Sequence, residues 1–157
     1  MNQEIIDWLL QGPAWIKYAV EKQLLGSQPD VKPVVQDNSI QEIIERLKDQ
    51  KRGIPGINTG YMNSDEYENP YWDLFFLADL GLTIADLDLQ SEIDDFLDSQ
   101  SLKGTYLTEF GMEPSYFCKS AILLSSIARM EYEKNPHIKK YIQLQYLYKL
   151  NLYFNRT

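Results

Sequence analysis

The chain contains one cysteine, Cys118, and one histidine, His137, among its 157 residues. A single cysteine excludes an internal disulfide and a multi-cysteine zinc site within one chain. Basic residues are also scarce, since 15 Lys and Arg stand against 23 Asp and Glu and the net charge is −8. An acidic protein is repelled by phosphate backbones and anionic membrane surfaces, so we expect no nucleic-acid partner.

Long apolar segments are missing as well. No run of the sequence approaches the ~20 apolar residues of a membrane span. The opening segment, "MNQEIIDWLL", places Glu4 and Asp7 where a secretory signal carries basic residues. We therefore predict a soluble cytoplasmic protein without membrane association, and the length favours a single domain covering residues 1–157.

The sequence has no convincing alternation of apolar and polar residues that would indicate a strand, whereas helical periodicity occurs almost everywhere. The predicted fold class is therefore all-α. The patterns predict helices over residues 3–10, 13–25, 39–50, 71–81, 90–99, from 114 onward and 136–152.

The third of these predicted helices has a recognisable start. Ser39 and Glu42 form a capping-box signature, and four apolar residues after Ser39 share one helix face. These residues are Ile40, Ile43, Ile44 and Leu47. The preceding segment, "GSQPDVKP", is interpreted as a connector.

Three predicted helices share a pattern that indicates an internal repeat. The segments "EIIERLKDQ" (42–50), "EIDDFLDSQ" (92–100) and "HIKKYIQLQ" (137–145) all read Ile-x-x-x-Leu/Ile-x-x-Gln. Apolar helices beginning "YWDLFF" and "YFCKSA" lie between them. The pattern predicts stacked helix pairs, with charged outer helices at about 39–50, 90–99 and 136–152 and more deeply buried inner helices between them.

These motifs resemble the prenyltransferase and squalene-cyclase-like repeat proteins, whose repeat has an outer helix ending in Leu-x-x-Gln, then Gly and an aromatic residue, then an inner helix. The matching segments are "FLDSQSLKGTY", with Gln100, Gly104 and Tyr106, and a degenerate copy, "RLKDQKRGIPG". The opening "WLLQGPAWIKYAVEKQLLG" and "FFLADLGL" also look like the N-terminal part of bacterial members. The resemblance implies an α/α toroid, and a HEAT-like α-solenoid is the alternative architecture.

A complete toroid of this family needs about twice as many helix pairs as this chain supplies. The resemblance therefore implies a partial toroid, either an open half that pairs with a second copy or a shortened relative capped by its last helix. Apolar and aromatic residues crowd the last predicted helix and make it the predicted surface for homo-oligomer formation. They are Tyr146, Leu147, Leu150, Tyr153 and Phe154.

Candidate catalytic chemistry centres on the aspartates of "EIDDFLDSQ". Asp94, Asp95 and Asp98 have the spacing with which isoprenoid enzymes hold magnesium and diphosphate, but such enzymes carry a second metal motif inside a longer bundle. The cyclases of the toroid class use an Asp-x-Asp-Asp acid, and this string is missing. We therefore interpret the three aspartates as the solvated face of a helix. Cys118 and His137 are interpreted as structural residues and not as zinc ligands. We predict no catalytic residue, metal or cofactor.

Aromatic residues at the starts of the inner helices favour a cleft for a small molecule. The candidate cleft residues are Tyr61, Tyr67, Tyr71, Trp72, Asp73, Glu113, Tyr116 and Lys119. Three functions follow as hypotheses. The first is a non-catalytic helical-repeat domain for protein interaction or self-association, the second a toroid remnant that binds a small molecule or isoprenoid lipid, and the third an isoprenoid-processing enzyme.

Overall fold

The computed structural model describes residues 3–50, 53–54, 70–102 and 122–143, and these residues form helices and turns without a strand. The predicted all-α class is confirmed. The helices are α1 (Gln3–Leu9), α2 (Ala14–Ala19, continued by a π-helical turn over Val20–Leu24), α3 (Lys32–Val35), α4 (Asn38–Lys48), α5 (Pro70–Leu80), α6 (Gln90–Leu102), α7 (122–127) and α8 (136–143). The segment Ala128–Tyr132 after α7 is kinked, because Met130 and Glu131 have non-helical backbone angles.

The start of α4 differs from the capping-box prediction. Asp37 is the N-cap, because its Oδ1 accepts the Ser39 N–H at 3.0 Å. The prediction that Ser39 caps this helix is therefore wrong. The other carboxylate oxygen of Asp37 accepts the Ala14 N–H at 3.3 Å, so one side chain serves the first turns of both α2 and α4.

The segment "GSQPDVKP" is only partly the connector that its composition suggests. Its last residues enter α3, with Pro33 in the first turn, where the missing N–H of proline is no loss. The Asp30 carboxylate accepts the Lys32 N–H at 3.0 Å and so supports this first turn. The short helix buries Val34 in the core.

Proline and glycine set the limits of α5, as the sequence predicts. Pro70 is its first residue, and Gly81 follows its last residue with a φ of +76°. The Leu82 N–H donates to the Leu77 carbonyl at 3.1 Å, and the Gly81 N–H donates to the Ala78 carbonyl at 3.0 Å. This pattern satisfies two carbonyls of the last turn.

The segment between α5 and α6 belongs to the core. Thr83 and Asp86 cap one another, because the Asp86 carboxylate accepts the Thr83 N–H at 2.9 Å and the Thr83 hydroxyl accepts the Asp86 N–H at 3.1 Å. The segment buries four apolar side chains on either side of and between these two residues. They are Leu82, Ile84, Leu87 and Leu89.

One cluster of buried side chains includes residues from Tyr18 in α2 to Tyr141 in α8. In α4, Ile40, Ile44 and Leu47 are buried, and Ile43 packs against them, which confirms the predicted apolar face. The repeat arrangement stays a prediction. The fifth residue of the repeat pattern is fully buried in the first two copies, as Leu47 and Leu97, but in the third copy it is Ile142, which is 48% exposed.

Candidate functional site

Helix α5 is apolar on almost every side, and such a helix is normally enclosed by protein. Its inner side meets this expectation, since Tyr71, Leu74 and Leu77 are buried. Its outer side does not. Trp72 is 57% exposed and Phe75 is 38% exposed. We call these two residues, one helical turn apart, the α5 aromatic face.

The two rings of the α5 aromatic face contact each other. Their centroids are 6.0 Å apart and their planes meet at 84°, an edge-to-face geometry that aromatic pairs favour. The guanidinium of Arg129 lies over the Phe75 ring, 5.7 Å from its centroid. Tryptophan and arginine are the residue types most enriched at the energetic centres of protein interfaces, and both are present here.

Two arginines from neighbouring elements form ion pairs with aspartates of α5. Arg46 of α4 binds the Asp73 carboxylate through two nitrogens, at 3.0 and 3.2 Å. Arg129, in the kinked segment after α7, donates to the Asp79 carboxylate at 2.7 Å. Both pairs hold α5 against its neighbours. The exposed Arg129–Asp79 pair contributes little free energy and can rearrange when a ligand binds.

The structure describes three of the eight predicted cleft residues, and it does not bring them together. Tyr71 is buried in the core, Trp72 is exposed, and Asp73 is held by Arg46. Consecutive residues of a helix point about 100° apart, so these three side chains face different surroundings. The other five lie outside the described residues: Tyr61, Tyr67, Glu113, Tyr116 and Lys119.

The aspartates of "EIDDFLDSQ" join α6 to the residues that follow α7. The Tyr132 hydroxyl donates to the Asp94 carboxylate at 2.5 Å, and Gln90 donates to the same carboxylate at 2.7 Å. One turn later, Asp98 lies 3.1 Å from the His137 Nε2. Asp95 is exposed. The charged side of this helix is thus partly a contact surface between helices.

The Asp94 contact also changes the acidity of Tyr132. Partial burial, then the hydrogen bond and the negative charge of Asp94, raise the pKa of the Tyr132 hydroxyl to about 12. The hydroxyl is therefore a proton donor to Asp94 throughout the neutral range. Within the described part of the chain, no three acidic, histidine or cysteine side chains are grouped as a metal site would require.

Of the two residues considered as zinc ligands, the structure describes only His137. Its backbone N–H donates to the Asn135 side chain at 2.9 Å, so Asn135 caps α8. Its imidazole contacts Asp98 of α6, as described above. These contacts position α8 beside α6. Cys118 lies outside the described residues, as do the predicted oligomer contacts Tyr146, Leu147, Leu150, Tyr153 and Phe154.

A shallow cleft lies between α2 and α3. Its volume is ≈ 310 Å³, at the lower end of the range for small-molecule sites. Tyr18 and Val34 form its floor, while Lys17, Glu21 and Asp30 lie around it. No predicted cleft residue is among those that line it, and its charged groups have mixed signs. The cleft is therefore a weaker candidate for recognition than the α5 aromatic face.

Helices that could cross a bilayer are not found in the described ranges, because none combines sufficient length with sufficient apolarity. No protein-family model, curated protein or solved structure matches the chain. The resemblance to the prenyltransferase-like repeats thus rests on the sequence motifs.

Proposed function

We propose that this protein is a non-catalytic helical domain that binds an amphipathic helix of a protein partner on the α5 aromatic face. The observation that carries the proposal is the exposure of Trp72 and Phe75 on a helix that is otherwise part of the core. Exposing two adjacent aromatic rings to water is unfavourable, and covering them would recover roughly 25 cal/mol for each Å² of apolar surface removed from water.

The geometry of the face determines the shape of the ligand that fits it. Trp72 and Phe75 are three residues apart and form a short stripe along the α5 axis. A second helix with two apolar residues at the same spacing presents a matching stripe, since residues at i and i+3 are neighbours on a helix surface. We therefore propose a helical segment, instead of an extended peptide, as the ligand.

The charges beside the face determine the chemistry of that helix. The Arg129 guanidinium lies against Phe75 itself, whereas its partner Asp79 lies one turn further along α5. The other arginine beside α5, Arg46, is already occupied by the Asp73 carboxylate. Carboxylates along the edge of the bound helix nearest to Arg129 would pair with this guanidinium. The preferred partner is therefore a helix with an acidic edge.

The polar clusters support a structural role for the rest of the molecule. The Asp94–Tyr132 and Asp98–His137 contacts connect α6 with the segment after α7 and with α8, and Asp37 connects α2 with α4. These groups are occupied in holding helices together. We propose on this basis that the chain functions by binding and not by catalysis.

The partial α/α toroid stays part of the proposal at the level of architecture. It is supported by the succession of an amphipathic helix, α4, a largely buried helix, α5, and a second charged helix, α6. In the toroid arrangement, α4 and α6 are outer helices and α5 is an inner one. An α-solenoid would place the same helices in an open array, and an experimental structure that includes residues 103–121 distinguishes the two.

A binding experiment with two helical peptides tests the proposed function. The probe is a stapled helical peptide with Ile and Trp three residues apart and glutamates along one edge, and the comparison peptide has lysines in place of the glutamates. We expect the glutamate peptide to bind more tightly by calorimetry, and the double variant Trp72→Ser/Phe75→Ser to abolish its binding.

The matched control for this experiment is Leu24→Ser/Leu25→Ser, which removes a different pair of exposed apolar residues. This control should bind the glutamate peptide like the unmodified protein. Equal binding by the Trp72→Ser/Phe75→Ser variant, or equal affinity for the two peptides, contradicts the proposed recognition.

A further inference from the structure

A second exposed apolar pair lies on α1. This helix buries Ile6, but Ile5 is 54% exposed and Trp8 is 70% exposed. The two side chains are three residues apart and therefore lie on the same side of the helix. We call them the α1 apolar face. It has the spacing that the α5 aromatic face requires of its ligand.

The acidic residues of α1 also have the required position. Glu4 and Asp7 lie on the Trp8 side of the α1 apolar face, as the 100° rotation per residue dictates. Asp7 accepts a hydrogen bond of 2.8 Å from Gln3, which holds its carboxylate on the helix surface. The result is an apolar stripe with an acidic edge.

We propose that the partner of the α5 aromatic face is α1 of a second copy of this chain. The inference rests on the proposed function, because it assigns the ligand of the same face. In the pair, Ile5 and Trp8 of one copy cover Trp72 and Phe75 of the other, and the acidic edge of α1 lies beside Arg129. Each copy carries both faces, so two copies related by a two-fold axis form two reciprocal contacts, and this symmetric arrangement is the one that closes as a dimer.

The exposed area of the two faces determines how strong this dimer can be. Large side chains bury roughly 150–250 Å² each when fully covered, so the exposed fractions of these four residues offer on the order of 450 Å² per contact. Two reciprocal contacts give at most about 900 Å², just below the roughly 1,000 Å² at which specific interfaces begin, so we expect a weak, reversible dimer.

Sedimentation equilibrium of the full chain, with two surface variants, tests this dimer. The α1 variant is Ile5→Ser/Trp8→Ser, and the α5 variant is Trp72→Ser/Phe75→Ser. We expect the unmodified chain to dimerise and each variant to have a dissociation constant at least about 30-fold higher, because central aromatic residues dominate interface energetics. Leu24→Ser/Leu25→Ser should dimerise normally.

Mixing the two variants tests the reciprocal geometry. The α1 variant retains an intact α5 aromatic face, and the α5 variant retains an intact α1 apolar face, so a mixed pair keeps one of the two contacts. We expect an equimolar mixture to associate more than either variant alone. Association of the mixture no greater than that of the separate variants overturns the reciprocal arrangement, provided that circular dichroism shows both to be folded.

The possible outcomes separate this inference from the proposed function. A monomeric chain whose α5 aromatic face still binds the glutamate peptide overturns the self-partner and leaves the function. A dimer unaffected by both variants assigns self-association to another surface and likewise overturns the inference. A failure of both dimerisation and peptide binding overturns the inference and the function together.

Discussion

The contact between α2 and the end of α5 allows a quantitative test of how α5 is held in place. Gly81 has a φ of +76°, and the Lys22 ammonium donates to its carbonyl at 2.8 Å. A Cβ at position 81 would lie 2.6 Å from the Lys22 Nζ, too close for the lysine to keep its position. Gly81→Ala therefore imposes backbone strain and displaces Lys22.

The two effects can be separated by magnitude. A left-handed conformation costs a residue with a Cβ roughly 1–2 kcal/mol, of which about 0.4–1 is offset by the lower entropy of the unfolded chain. Gly26 has a φ of +64° with open space around it, so Gly26→Ala suffers the strain alone, about 1 kcal/mol. Gly81→Ala also weakens a charged hydrogen bond at a partly exposed site, which adds about 1 kcal/mol.

Urea denaturation of both glycine variants, with and without Lys22→Met, measures the backbone strain and the loss of the Lys22 hydrogen bond separately. We expect Gly81→Ala to lower the free energy of unfolding by about 1 kcal/mol more than Gly26→Ala, equivalent to a further 2–4 °C in Tm. With Lys22→Met in both, the two glycine variants should agree to within about 0.5 kcal/mol. Equal losses in the presence of Lys22 would refute the reasoning, because Lys22 would then contribute nothing to fixing α5.

Three further predictions concern stability. In urea melts, Trp72→Ala should lower the free energy of unfolding by less than about 1 kcal/mol, whereas Leu74→Ala on the buried side of α5 should lower it by about 2–5 kcal/mol. Similar losses for the two variants would contradict the assignment of Trp72 to an exposed face. The unfolded hydroxyl of Tyr132 loses its proton near pH 10 and the folded one near pH 12, so stability should fall with rising pH across this window, and Tyr132→Phe should reduce the slope. In thermal melts, Asp94→Asn should lower the free energy of unfolding by about 1 kcal/mol and Asp95→Asn by less than about 0.5 kcal/mol. Added magnesium should not raise the Tm of either variant.

The sequence predicted α5 well because its limits are local. Proline at the first turn and glycine in a left-handed conformation stop the helix without help from the rest of the molecule. The start of α4 could not be predicted in this way. Asp37 and Ser39 are both good N-cap residues, and the choice of Asp37 coincides with its second hydrogen bond, to Ala14, which lies 23 positions earlier in the chain.

The candidate site was only partly predictable. Trp72 was singled out, but as part of a cleft, and Phe75 was not, because exposure depends on which sides of α5 are covered by α2 and α4. A signal was nevertheless present. A helix that is apolar on every side must either be enclosed or expose an apolar stripe, and the positions of Trp72 and Phe75 define that stripe.

The repeat pattern does not predict which residue of each helix is buried. Leu47 and Leu97 occupy the same pattern position and are both fully buried, whereas Ile142 at this position in the third segment is half exposed. In that segment Ile138 and Tyr141 are the buried residues instead. The shared letters predict three helices with apolar faces, but the orientation of each face is determined by its neighbours.

Fluorescence of Trp72 measures the central claim most directly. Adding Trp15→Phe to the Ile5→Ser/Trp8→Ser variant leaves Trp72 as the only tryptophan in the chain and removes the α1 apolar face that could cover it in a dimer. Titration with the glutamate-edged helical peptide, itself carrying Phe instead of Trp, should shift the Trp72 emission to shorter wavelength and saturate, because the ring leaves water when the helix covers the face. An emission spectrum that stays unchanged throughout the titration would contradict the assignment of the α5 aromatic face as a binding surface.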